Sequence, residues 1–381
     1  MKQAVIILFI LLLSGKAFSQ QQQGDFEARV QKGIHEIYDI KFNDAERTFK
    51  EIIADYPNQP AGKFFLAMID WWKILLDLDN ESMDDMFFAK LEDVIFQCDQ
   101  ILDKDPENVD ALFFKGGAIG FRGRLRAMRE SWIKAADDGR EALPIVSRAY
   151  KLNPENVDVQ LGFGIYDYYA SVIPVKYPMV KPLMMFFPSG DKDKGIKELT
   201  NVALNGKYAR TEARYFLMQL YFQFEGNYQK AEEFARMLTR EYPDNPLFER
   251  YFGRINVRRG NLYTADSIFT DVYRKVKRGA PGYNLQADRE ASYYLGYYRR
   301  SMGQTDSAIV YFQECENVSR KLDKDEASGF LVNSLLYLGN LYDQKGDRDK
   351  AVKYYKEVLD VKEFGQSHKL AEGYMQKPFQ K

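Results

Sequence analysis

Between residues 26 and 362, apolar positions recur three and four apart, the spacing that lays one stripe along a helix. The stripes come in pairs separated by short turns. The clearest pair runs Leu338-Gly339, Tyr342, Gly346, Ala351, Tyr355 and Val358. Read as two antiparallel helices, Gly339 and Ala351 are small because the helices cross there. Tyr355 and Val358 follow Ala351 on the same face. Gly346 takes the turn, where a positive φ is cheap only for glycine. The same skeleton recurs as Leu295-Gly296, Gly303, Ala308, Phe312 and Cys315, and as Phe252-Gly253, Gly260, Ala265, Phe269 and Val272. Near the start it reads Gly33, Ala45, Phe49, Ile52 and Pro57, while Gly226, Ala231, Ala235, Leu238 and Pro243 repeat its second half. In four of these five units the first glycine stands twelve residues before the alanine. Three looser second helices lie in the middle: Val94, Cys98, Ile101 and Pro106; Ala142, Val146, Ala149 and Pro154; and Gly195, Leu199 and Val202. The strings Asp-Pro-Glu-Asn at 105–108 and Asn-Pro-Glu-Asn at 153–156 read as helix stops followed by fresh starts. No strand-period run competes, and no linker divides the array.

This order of residues resembles the tetratricopeptide repeat, with its L-G-x-x-Y…A-x-x-x-F…P signature. The resemblance implies an all-α, right-handed superhelix (an α-solenoid) of about eight helix pairs with a C-terminal capping helix. Within an array spanning 20–362 the pairs are expected at 26–60, 61–107, 108–155, 156–207, 208–245, 246–285, 286–327 and 328–362. The segment 363–381 should cap the apolar face that the last pair would expose, with a helix from Gln366 toward Phe379.

Two segments stand outside the repeat. Residues 115–126 carry glycines at 116, 117, 120 and 123 beside Arg122, Arg124 and Arg126. No phosphate-loop pattern is present and no strand precedes them, so a helix packed closely through a glycine ridge is expected. The surplus arginines could still serve an anionic ligand. The second segment, 172–188, sets Pro174, Pro178, Pro182 and Pro188 among Met179, Val180, Leu183, Met184, Met185, Phe186 and Phe187. Four prolines argue against a regular helix. The apolar content fits either a loop tucked into the superhelix or a gripping surface. Ser189-Gly190-Asp191 then opens the next helix as turn and cap. The order of a Gly-rich helix, Gly164-Ile-Tyr-x-Tyr-Tyr169, a Pro-rich insert and the Gly190-Asp191 helix is similar to that in bacterial tetratricopeptide proteins. It is distantly similar to the inclusion-body clearance family and to T-component proteins of TRAP transporters. That likeness implies a non-enzymatic helical adaptor.

At the start, Met1-Lys2, an apolar run from Ala4 to Leu13 and Ala17-Phe18-Ser19 make a signal peptide over 1–19, with cleavage near Ser19. The run is too short to span a bilayer, which takes about 20 residues. An exported chain, periplasmic or secreted, is expected, with no transmembrane span once processed. Peripheral association with the envelope stays open. Cys98 and Cys315 both fall on core positions, which favours two buried thiols over a bridge.

The 54 basic and 55 acidic residues give a net charge of −1, which provides no footing for nucleic acid. The only histidines and cysteines are His35, His368, Cys98 and Cys315, and a zinc site needs three or four such ligands held close together, so none is expected; no cofactor motif appears. His35 and His368 lie in the first and last segments, so no Ser-His or Cys-His pair is expected and no catalytic residue is assigned. The expected role is a non-catalytic scaffold holding a protein or peptide partner in the groove lined by first helices. Candidate groove residues are Phe216, Arg250, Arg254, Tyr293, Tyr297 and Asn340. Each could instead fill the core between repeats. The Lys/Asn carboxylate clamp of some family members does not match these positions. Carriage of a small apolar molecule or lipid is the alternative, with Met184, Phe186 and Phe187 of the insert as its surface.

Overall fold

A computed structural model describes residues 23–380, except Phe186 and the side chain of Leu183. The signal segment 1–19 and Phe186 therefore lie outside the described residues. Among the described residues there are helices and short 3-10 turns, and no strand. The helices are α1 (23–38), α2 (Phe42–Asp55), α3 (Ala61–Leu76), α4 (Asp84–Leu102), α5 (Val109–Met128), α6 (Trp132–Leu152), α7 (Gln160–Lys176), α8 (Lys181–Met184), α9 (Lys192–Asn205) and α10 (Arg210–Gln223). They continue as α11 (Tyr228–Glu241), α12 (Pro246–Arg258), α13 (Leu262–Lys277), α14 (Leu285–Ser301), α15 (Thr305–Leu322), α16 (Gly329–Gln344), α17 (Arg348–Leu359) and α18 (Ser367–Gln376). Consecutive helices pack as antiparallel pairs, with α7 pairing with α9 across the insert. The chain divides between Leu217 and Met218 into two compact units.

The recurring glycine–aromatic spacing is what locks each pair. A Cβ on Gly339 would come within 2.7 Å of Tyr355 Cδ1, and one on Gly33 within 2.7 Å of Phe49 Cε2. The corresponding approaches are 2.6 Å for Gly253 against Phe269 and 2.9 Å for Gly296 against Phe312. Tyr355, Phe49, Phe269 and Phe312 are all fully buried. The aromatic ring one turn past the signature alanine thus lies in the notch that the glycine leaves. The turn seven residues after that glycine is left-handed in each case: Gly346 at φ 76°, Gly303 at 71° and Gly260 at 75°. Ile40 and Glu130 take the same conformation at 62° and 58° without being glycine. Side-chain caps start many helices. Asn108 accepts from Ala111 N–H, Asp191 from Lys194 N–H and Asn284 from Ala287 N–H.

The insert differs from expectation. α7 continues through Pro174 and stops two residues later, at Lys176. A proline so near the end removes one backbone bond and leaves few turns to disturb. A 3-10 turn at Pro178–Val180 and the single turn of α8 follow. Val175, Met179 and Met185 are 77%, 85% and 83% exposed, so this stretch is not tucked away as a covered loop.

The glycine ridge of α5 does pack closely. A Cβ on Gly116 would come within 2.6 Å of Val146 Cγ2, and one on Gly123 within 2.9 Å of Asp138 Cβ. Its arginines are all engaged. Arg122 binds Asp138, Glu92 and Glu141, and Arg126 binds Asp138.

Candidate functional site

In the first unit the first helices of successive pairs turn their aromatic faces inward, and these faces meet. Glu212 of α10 is the centre. Trp72 Nε1 of α3 donates to it at 3.1 Å and Tyr38 Oη of α1 at 3.4 Å. Arg124 Nη1 of α5 stands 3.5 Å away. The Arg124 guanidinium lies over the rings of Phe216 at 4.2 Å and Trp71 at 4.7 Å. Trp71, Trp72, Tyr215 and Phe216 are buried. Burial pushes the Glu212 carboxyl upward, against the opposing pull of Arg124. Phe216 therefore belongs to a filled interior. An arginine sandwiched between rings and paired with a buried acid is held by packing and by charge together.

In the second unit α12, α14 and α16 lie side by side, and their shared face stays partly open. Arg250 Nε and Arg254 Nη2 of α12 donate to Glu290 Oε2 of α14 at 2.7 and 2.6 Å, and Arg254 Nε reaches the other carboxylate oxygen. The Glu290 side chain is 1% exposed, those of Arg250 and Arg254 11% and 25%. Burial pushes the Glu290 carboxyl upward, but the two guanidinium groups more than undo this and hold it below the ordinary carboxylate range. Two fixed cations share one anion, so a unit of positive charge is left over at the base of this face.

Further along, Tyr293 packs edge-on against Phe330 at 5.2 Å and Tyr294 at 5.3 Å, joining the core between pairs. Tyr297 lies 6.5 Å from Tyr337, and both are half-buried. The Arg300 guanidinium covers the Tyr337 ring at 4.5 Å. Among the described residues it has no carboxylate partner, and its Nε is buried without a hydrogen bond. Asn340 is buried beneath, its Oδ1 3.0 Å from Tyr355 Oη. The open part of the face is thus Arg254, Tyr297, Arg300 and Tyr337, with Arg250, Tyr293 and Asn340 as its floor. Arg300 and Tyr337 were not among the residues read from sequence. Arg300 is one turn beyond Tyr297, a spacing that could have flagged it.

The insert residues lie in the first unit. The Phe187 ring is 3.7 Å from where a Cβ on Gly139 would stand, and Phe187 N–H donates to Met184 O at 3.1 Å. Both side chains are half-buried, while Met185 and Pro188 are exposed. No helix among the described residues is long and apolar enough to cross a membrane.

Residues 287–363, which hold α14 to α17, match the sequence model of the tetratricopeptide repeat. No curated protein matches the chain. Among solved structures, the chain is similar to PilF of Pseudomonas aeruginosa at 12% identity and a TM-score of 0.44, covering 68% of this chain and 96% of that one. It is similar to PilW, titled a widely conserved type IV pilus biogenesis factor, at 15% identity and 0.43, covering 67% and 96%. The Cut9–Hcn1 hetero-tetramer of the APC/C follows at 14% identity and 0.42, covering 87% and 73%.

Proposed function

We propose that this tetratricopeptide-repeat chain is a non-catalytic interaction scaffold of the periplasm or cell envelope, which holds a protein segment on the face of α12, α14 and α16. The tetratricopeptide fold is one of protein-interaction scaffolds, and that much comes with the family. The choice of face rests on one observation. Arg254, Tyr297, Arg300 and Tyr337 stay partly open there, and Arg300 has no counter-charge among the described residues, while the matching face of the first unit is filled by its own Trp72, Tyr215 and Phe216. Aromatic rings beside fixed guanidinium groups suit an extended peptide with acidic character. Export is proposed from the sequence of residues 1–19. Val175, Met179 and Met185 of the insert face solvent, which favours the scaffold over the carriage of a small apolar molecule there.

A photo-crosslinking amino acid at position 297, incorporated in the native cell, tests the reading. A discrete adduct is expected from position 297 and none from the exposed Val310 of α15. Equal labelling from both positions, or none from 297, overturns it. Export is checked on the same material: the chain recovered from the envelope should begin at Gln20, and an intact Met1 in the cytosol sinks that part.

A further inference from the structure

Beyond α18 the chain turns back onto the second unit. Lys377 is extended, and Phe379 N–H donates to Asp343 Oδ2 at 2.8 Å. The Phe379 ring stands edge-on to Tyr374 at 5.2 Å, with the Arg300 guanidinium 5.7 Å from its centre. Phe379 is half-buried, while Lys377, Pro378 and Gln380 on either side are exposed. One aromatic anchor and one backbone hydrogen bond hold an otherwise solvated strand. A bound peptide is held in the same way, by a seated side chain amid contacts of little weight.

The charges do not match as well as the shapes. Arg300 is stacked between Tyr337 and Phe379, yet among the described residues it has no carboxylate partner, and its buried Nε makes no hydrogen bond. A buried N–H left without an acceptor is costly. Pro378 and Gln380 bring no negative charge, and Lys377 brings the wrong sign. Asp343 is already taken by Arg348, Tyr355 and the Phe379 amide. The segment fills the apolar half of this seat and leaves the cationic half unanswered. Nor is Phe379 needed to hold α18. Arg348 donates to the carbonyls of Tyr374 and Met375 at 2.8 and 2.7 Å, and Ala371, Tyr374 and Met375 pack on the core of the last pair.

We propose that residues 377–380 are a displaceable resident of a peptide site on α14 and α16, and that the partner displacing them carries an aromatic side chain beside a carboxylate. The inference rests on the scaffold reading and gives its site a ligand class and a built-in competitor. The incoming ring takes the seat of Phe379, and the carboxylate pairs with Arg300. Because the resident is tethered, it lowers apparent affinity by the fraction of time the seat is open.

The test uses the full chain and two fluorescein-labelled probes, the acidic peptide Gly-Asp-Phe-Glu-Gly and its neutral counterpart Gly-Asn-Phe-Gln-Gly, followed by anisotropy at low salt. Phe379→Ala should bind the acidic probe about tenfold tighter than the unmodified chain, as for a seat occupied roughly nine-tenths of the time. Phe379→Tyr should keep the unmodified affinity. Arg300→Gln combined with Phe379→Ala should lose the preference for the acidic probe. No gain with Phe379→Ala, or equal binding of both probes to it, overturns the proposal. A measurement without substitution guards against misfolding: saturating acidic probe should speed hydrogen exchange at the Phe379 amide of the unmodified chain at least about tenfold. Unchanged protection overturns it. A partner captured through position 297 that leaves residues 377–380 protected removes this inference and leaves the scaffold reading standing. Absence of capture at 297 removes the scaffold reading itself.

Discussion

Two glycine-to-alanine changes in helix interiors should move stability in opposite directions. On α16, a Cβ at position 339 would come within 2.7 Å of Tyr355 Cδ1 and closer still to Cε1. Ordinary contact needs about 3.5–4 Å, so the ring must move by about 1 Å. Tyr355 is fully buried and cannot swing into solvent. Its hydroxyl is also placed, 2.9 Å from Asp343 Oδ2 and 3.0 Å from Asn340 Oδ1. Overpacking of this kind costs about 1–3 kcal/mol. A hydrogen bond to a charged group adds roughly 1.5–3 kcal/mol if it is lost. Against this stands the helix preference of alanine over glycine, about 1 kcal/mol. The net for Gly339→Ala is a loss of roughly 2–3 kcal/mol. On α5, a Cβ at position 120 meets nothing within 4 Å, and the site is exposed. Gly120→Ala should therefore gain about 1 kcal/mol. Native-state hydrogen exchange reads the two locally. Amides of α16 and α17 should exchange about 30-fold faster or more in Gly339→Ala, and those of α5 and α6 slower in Gly120→Ala. Unchanged or slower exchange around Tyr355 in Gly339→Ala would refute the notch-and-ring account of the repeat.

Other outcomes follow from the same contacts. Glu290→Gln leaves Arg250 and Arg254 without their shared carboxylate and should destabilise the second unit by about 3–5 kcal/mol in urea unfolding; a loss under about 1 kcal/mol would mean that the triad carries no weight. Burial pushes the Glu249 carboxyl from 4.5 up to about 7, against the lowering contacts of Lys275 and Tyr283. The folded chain then holds that proton more tightly than the unfolded one, so stability falls as pH rises from about 4.5 toward 7. Glu249→Gln should flatten that part of the stability–pH curve, and an unaltered slope rules the assignment out. Cys98 and Cys315 are free, buried and pushed by burial up to about 12 and about 11. Neither should react with an aromatic disulfide reagent at pH 8 until the chain unfolds; prompt labelling of two thiols in native buffer contradicts this.

Much of the fold was legible because close crossing leaves a mark in composition. Only glycine fits beneath Phe49, Phe269, Phe312 or Tyr355, so the positions that matter could not vary freely. The third pair is less legible because its turn residue is Glu130, at φ 58°, where the pairs around Gly260, Gly303 and Gly346 use glycine. Gly123 and Ala135 do stand twelve apart, but Gly139 follows at the place where the other units carry the packed aromatic ring. The weight placed on four prolines missed that Pro174 falls in the last turn of α7, where little helix remains to be broken. The candidate face was read only in outline. Arg250 and Arg254 were visible as cations, but their partner Glu290 lies 36 to 40 residues away, on the next first helix, and no local pattern joins them. Phe216 looked like its counterparts in the second unit. Its burial depends on Arg124, Trp71 and the approach of α1 to α10, which are long-range packing facts.

The closure of the first unit on itself also bears on how the chain can assemble and diversify. A stack whose members touch only their neighbours can nucleate anywhere and lengthen or shorten by one member at a time. The second unit is connected in that way, each pair resting on the next. The first is not: Tyr38 meets Glu212 across 174 residues and Trp72 meets it across 140. Such distant closures pay the loop entropy before any contact returns it, so folding there is slow and all-or-none. On emergence from the ribosome, its N-terminal helices must wait for α10 before Trp72 is covered, an interval in which a chaperone is needed most. Gain or loss of a pair would break the contacts on Glu212 in the first unit but only change the length of the second, leaving the second as the part where evolution can add repeats.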